Sequence, residues 1–184
     1  MFRGMVLSLV LSVTMGMPAL AQDSENKNVD IQSPVGNLHV GKDADAKRVG
    51  VPLYPGARLK REKADSDQAN LSVLTEGFGM KLIVANYVSD DDPEKIVAFY
   101  RSKLKKYGKV LECHSEKHGG NVSVHEDKNS DKELKCEEKS GPVTELKVGT
   151  EENQRVVAVE PREGNKGSNF ALVYVHTRGK MGDI

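Results

Sequence analysis

The clearest periodic signal in the chain lies between Pro93 and Tyr107. Ile96, Tyr100, Leu104 and Tyr107 recur at i, i+4, i+8 and i+11, with Val97 beside them, which is one apolar stripe of a helix. Asp91 or Asp92 suits the N-cap, and Pro93 suits the first helical position. Glu94 near the start and Lys103, Lys105 and Lys106 near the end match the helix dipole. Gly108 then provides the stop.

Most other apolar runs follow a period of two. Leu71–Thr75 reads as a short strand, Gly77–Gly79 as a turn and Met80–Val88 as a stronger strand. In that strand Met80, Leu82 and Val84 share one face, and Ile83, Ala85 and Tyr87 the other. Apolar residues on both faces place it inside a sheet. Val110–Cys113, Glu133–Glu137 and Val143–Gly149 are further strands, with a short one at Val122–Val124. Leu146 and Val148 define the apolar face of the third. Arg155–Val159 and Asn169–His176 form a hairpin around the polar loop Pro161–Gly167.

Strand follows strand around a single strong helix, unlike the strand–helix alternation of a doubly wound sheet. The fold expected is α+β: a mainly antiparallel, twisted sheet with the helix at about 93–107 packed on one face. Val29–Val40 alternates weakly and is broken by Pro34-Val-Gly36, as a strand pair or an extended arm would be. Gly41–Gly50 reads as a charged connector. The expected organisation is therefore a signal segment at 1–21, a polar segment or linker at 22–50, one domain at 51–176 and a tail at 177–184.

The signal segment changes the picture most. Met1-Phe-Arg3 is a short positive start, Gly4–Met17 is apolar and uncharged, and Ala19-Leu-Ala21 is the small-x-small pattern read by a signal peptidase. The apolar run is shorter than the ~20 residues a spanning helix needs. Export with cleavage between Ala21 and Gln22 is expected, with no transmembrane segment in the mature chain. Arg3 is the one charged residue in that segment, so its loss leaves 163 of 184 residues and turns 27 cations against 27 anions into −1. Such a balance disfavours a nucleic-acid partner.

In an exported chain, two cysteines, Cys113 and Cys136, point to a disulfide. The alternatives are free thiols or metal ligation, because His114, His118 and His125 crowd the same polar stretch and could complete a tetrahedral zinc site. Ser89-Asp-Asp-Asp92 lacks the spacing of a calcium loop and reads as the helix start. No phosphate cradle, nucleophile elbow or zinc-protease motif occurs. A hydrolase would have to assemble carboxylates such as Asp65, Asp67 or Glu76 in space. No cofactor is implied.

Three stretches carry a resemblance: Val51-Pro-Leu-Tyr-Pro-Gly-Ala57, the segment Ser89–Leu104, and Phe170-Ala-Leu-Val-Tyr-Val175. Together they resemble uncharacterised exported bacterial proteins with a YPGA motif and a D-x-P-E-K-[IV]-x-x-F-Y-[RK]-x-x-L helix. The resemblance spans Val51 to Val175 and implies a bacterial exported domain, with no catalytic residue to carry over. The function expected is a non-catalytic binding module of the periplasm or extracellular space, taking a protein or small-molecule partner. Its candidate surface is the loop His114–Ser130 with Arg162–Lys166. The alternatives are a metal-binding protein using the 113–136 loop and an unrecognised hydrolase.

Overall fold

The structure is a computed structural model that describes residues 28–42, 44–60, 68–116, 133–138 and 140–179. The signal segment and the expected strand at Val122–Val124 lie outside these residues. The described strands form one nine-stranded sheet in which every pairing is antiparallel. In chain order they are β1 (Val29–Ser33), β2 (Gly36–Gly41), β3 (Arg58–Leu59), β4 (Gln68–Leu74), β5 (Phe78–Ser89), β6 (Leu111–Ser115), β7 (Val143–Thr150), β8 (Asn153–Pro161) and β9 (Ser168–Gly179). Across the sheet the order is β1-β2-β4-β5-β9-β8-β7-β6, with β3 also paired to β5. One main helix, α2 (Pro93–Leu104), runs on into a 3-10 turn at Lys105–Tyr107. A four-residue helix, α1 (Ala46–Val49), precedes it in the chain. This is an α+β fold of mostly antiparallel sheet.

The central strands bury both faces. On the first, Ile83, Ala85 and Tyr87 of β5, Phe170 and Leu172 of β9, Val157 and Val159 of β8, and Leu146 and Val148 of β7 share one cluster with Ile96, Val97, Tyr100 and Leu104 of α2. Ala46 and Val49 of α1 complete it. On the second face, Val156, Ala158, Ala171, Val173 and Val175 cluster with Val143.

The chain packs earlier than its pattern suggested. β2 pairs with β4 from Asn37↔Leu74 to Gly41↔Asn70. Ala44, Ala46 and Val49 are all but inaccessible to solvent. Ala44, Ala46 and Val49, which precede Val51 in the chain, thus belong to the buried cluster. Small residues explain the misreading: Ala44 and Ala46 look like linker composition, yet they let α1 lie close to β5, where Ala46 N donates to the Tyr87 hydroxyl at 2.9 Å.

Two local expectations also change. Asp92 occupies the N-cap of α2 with extended backbone, but its side chain makes no capping bond. The expected strand at Glu133–Glu137 is absent, apart from a single bridge between Glu133 and Thr150. Its place beside β7 is already taken, since β6 pairs from Leu111↔Lys147 to Ser115↔Val143.

The three stretches that carry the resemblance meet in one aromatic knot. The Tyr54 ring meets Phe99 edge-on at 5.2 Å, Phe170 lies 5.8 Å from Tyr100, and Phe170 stacks on Tyr87 at 5.4 Å. The intervening turn closes with Ala57 N donating to Tyr54 O at 3.1 Å, and Gly56 takes φ 75°, the positive value such a turn requires. Gly167 (φ 90°) is needed for contact as well as conformation: a Cβ there would sit 2.3 Å from the Ser89 carbonyl oxygen.

Candidate functional site

The second face of the sheet carries polar residues among its apolar ones, and antiparallel register sets them in rows. Asn86, Ala171, Ala158, Glu145 and Cys113 form one row across β5, β9, β8, β7 and β6. The next row sets Val88, Asn169 and Glu160 side by side across β5, β9 and β8, and Val143 opposite Ser115 in β7 and β6. The row on the other side reads Val84, Val173, Val156, Lys147 and Leu111. Two alanines side by side in the middle strands leave a hollow where larger residues would stand.

That hollow is a cup of about 200 Å³. Ala158, Ala171 and Val143 give it an apolar floor, and Lys60, Asn86, Glu160 and Asn169 bring polar groups to it. The Asn169 amide donates to Glu160 Oε1 at 3.2 Å, which orients the carboxylate. Lys60 is fixed through its backbone, its N–H donating to Asn86 O at 2.9 Å. A wider groove of about 450 Å³ lies beside α1, lined by residues of the 45–53 stretch and Tyr87. The Tyr87 hydroxyl there is already engaged with Ala46. Binding sites combine an apolar floor with a few converging polar side chains, and the cup has both.

Beside the cup, on the same face of the sheet, lies a charge pair sealed from solvent. Lys147 Nζ stands 3.1 Å from Glu145 Oε2, with both side chains 2% exposed. Ser115 Oγ donates to Glu145 Oε1 at 2.9 Å. Buried charges persist when they are paired and hydrogen-bonded, and both conditions are met here. The sequence reading of β7 named Leu146 and Val148 as the apolar face, which made Glu145 and Lys147 look solvent-facing. The missed signal was in the neighbours: Leu82 and Val84 in β5, and Ala171, Val173 and Val175 in β9, make both faces of the central sheet apolar.

The residues singled out from the sequence are distributed elsewhere. Cys113 is bonded to Cys136, with Sγ atoms 2.02 Å and Cα atoms 5.4 Å apart. His114 is exposed and sits opposite Thr144, whereas Cys113 is buried opposite Glu145. Neighbours along a strand point to opposite faces, so this histidine and this cysteine do not converge. His118, His125, Asp65 and Asp67 lie outside the described residues, as does most of the loop His114–Ser130. Glu76 is exposed in the turn between β4 and β5. Among the described residues, no group of three His, Cys, Asp or Glu side chains is placed to hold a metal ion.

The disulfide spans 23 positions and ties the chain after Glu133 to the edge strand β6. Replacing both cysteines by alanine is expected to lower stability by about 3 kcal/mol, because the unfolded chain regains the entropy of an open loop. Urea unfolding of the two forms measures this directly; an unchanged midpoint would mean the bridge does not restrict the unfolded chain.

The acidic run is used locally. Arg58 makes a two-pronged bond to Asp90 at 3.0 and 3.1 Å, and this bond holds the carboxyl below the usual carboxylate range. Arg162 approaches the same group at 3.7 Å. Asp91 accepts from Lys95 Nζ at 2.8 Å and from the Tyr54 hydroxyl at 3.0 Å. Arg162, one end of the second candidate loop, is thereby drawn to the start of α2.

No helix among the described residues is long and apolar enough to cross a membrane. The chain matches no protein-family model, no curated protein and no solved structure.

Proposed function

We propose that the mature chain is a non-catalytic binding module, exported across a bacterial inner membrane after cleavage before Gln22, that holds a small polar molecule in the cup on the second face of the sheet. The observation that carries this reading is the pairing of Ala158 with Ala171, which opens an apolar floor beneath Asn86, Asn169, Glu160 and Lys60. A rim with an ammonium, a carboxylate and two carboxamides complements a ligand bearing both donors and acceptors, such as an amino acid or a small amide. The signal-like Met1–Ala21 segment and a disulfide pair suited to an oxidising compartment support export. α2 packs on the first face of the sheet, so it does not obstruct the cup on the second.

The test is thermal unfolding of the mature chain in a panel of free amino acids and small amides, beside the variant Ala158→Leu. Leucine at 158 fills the cup without altering a charge, at a strain of about 1–3 kcal/mol. At least one compound is expected to raise the melting temperature of the wild type and leave Ala158→Leu unmoved. A panel that moves neither protein, or moves both equally, contradicts the reading.

A further inference from the structure

β1 ends the sheet on one side. It pairs with β2, and no strand among the described residues lies on its other side. All five of its residues are exposed. Natural edge strands are blunted by lysine, proline, bulges or a covering segment, since a row of open N–H and C=O groups invites another strand. β1 has none of the first three. Its register with β2 is unbroken from Val29↔Val40 to Ser33↔Gly36, and Pro34 follows it in the turn. Its one charge, Asp30, is held by His39 Nδ1 at 2.6 Å. On one face Val29 and Ile31 are 48% and 52% exposed, beside Val40 at 44%. The opposite edge is managed differently: β6 is covalently tied to Cys136, and Glu133 bridges to Thr150 beyond its end.

The sequence of β1, Val-Asp-Ile-Gln-Ser, is complementary to itself in one antiparallel register. Centred on Ile31, that register sets Ile31 against Ile31 of the second copy, Val29 against Ser33 and Asp30 against Gln32. The two isoleucines then meet on one face with each valine set against a serine, and each aspartate faces a carboxamide. Moving the centre to Asp30 brings the two aspartates together, and moving it to Gln32 parts the isoleucines. Like charges directly opposite one another destabilise a strand pair. We propose that β1 binds β1 of a second copy of this chain, antiparallel and centred on Ile31, so that two sheets continue as one. The surface does not involve the cup and stands or falls apart from it.

Sedimentation equilibrium of the mature chain tests the pairing. Wild type is expected to pass from monomer to dimer as concentration rises, because a single short strand gives a small interface of the weak, transient class. Ile31→Lys is expected to stay monomeric with its melting temperature unchanged, since the side chain is half exposed. Directly opposed strand residues lie about 4.5–5.5 Å apart at Cα, within disulfide reach. Ile31→Cys is therefore expected to give a covalent dimer on mild oxidation, and Val40→Cys, one strand further from the axis, to give none. A wild type that is monomeric throughout overturns the proposal, even if it captures an extended peptide of another protein. So does a dimer that survives Ile31→Lys and forms no Ile31→Cys cross-link.

Discussion

Replacing Lys147 by methionine is expected to lower the stability of the folded chain by about 3–5 kcal/mol, the usual result of removing one partner of a buried ion pair. The size of the effect follows from what remains. Glu145 is 1% exposed, and Lys147 supplies the positive charge 3.1 Å from it. Without that charge the carboxylate keeps the Ser115 hydroxyl as a donor, but it stays walled off from water. Glu145→Leu alone is expected to cost a comparable amount, by isolating the ammonium. The double variant Glu145→Leu, Lys147→Met should recover most of either loss, since well-packed apolar residues of similar volume replace such pairs at little cost. Urea unfolding of the four proteins closes the cycle. Equal, additive losses of under about 1 kcal/mol, the range of surface pairs, would place the two charges in water instead.

Truncating Tyr100 to alanine is expected to cost about 3–5 kcal/mol, as for other large buried aromatics. Tyr100 is fully buried and is the largest such side chain among the described residues. It touches Phe99 edge-on at 5.0 Å and Phe170 at 5.8 Å, and its hydroxyl accepts from Tyr54 N at 3.1 Å. Tyr100→Phe isolates the last of these: it leaves the Tyr54 N–H buried without its acceptor, at about 1–3 kcal/mol. Burial, above all, pushes the Tyr100 phenol well above its ordinary value of 10.0, with the neighbouring Tyr87 and Tyr54 adding to the rise. A group whose folded pKa is raised contributes fully below its unfolded value and loses that contribution as pH climbs toward the folded one. Wild-type stability is therefore expected to fall as pH rises above 10, and Tyr100→Phe to fall less steeply. Parallel pH profiles for the two proteins would show that this phenol stays out of the titration.

The sequence was most legible where one residue pattern had one physical meaning. The stripe Ile96, Tyr100, Leu104 with Val97 is buried as a helix face, because a period of 3.6 fits nothing else at that length. The two apolar faces of Met80–Val88 placed it inside the sheet, where β5 pairs with β3, β4 and β9. Legibility failed where burial depended on distant strands. Glu145 and Lys147 alternate with Leu146 and Val148 as a solvated strand would, yet they sit opposite Ala158 and Val156 and are buried. The alanines of the cup carry no signal alone; their pairing across β8 and β9 is a fact of register. Ala44 to Val49 misled for the same reason, as small and charged residues read as a connector until β5 is set beneath them. The cysteines could be paired by counting, whereas the histidine that follows Cys113 could be set apart from it only once β6 fixed which way each residue points.

The central claim is that an exported chain holds a small molecule over Ala158 and Ala171. Intact-mass spectrometry of the naturally exported protein, under non-denaturing and then denaturing conditions, tests it most directly. The denatured mass is expected to be that of a chain starting at Gln22, lighter by two hydrogen atoms for the Cys113–Cys136 bond. The native mass is expected to be heavier by a small organic molecule, absent from Ala158→Leu prepared in the same way. A native mass equal to the denatured one, or a small molecule retained equally by Ala158→Leu, would contradict the claim.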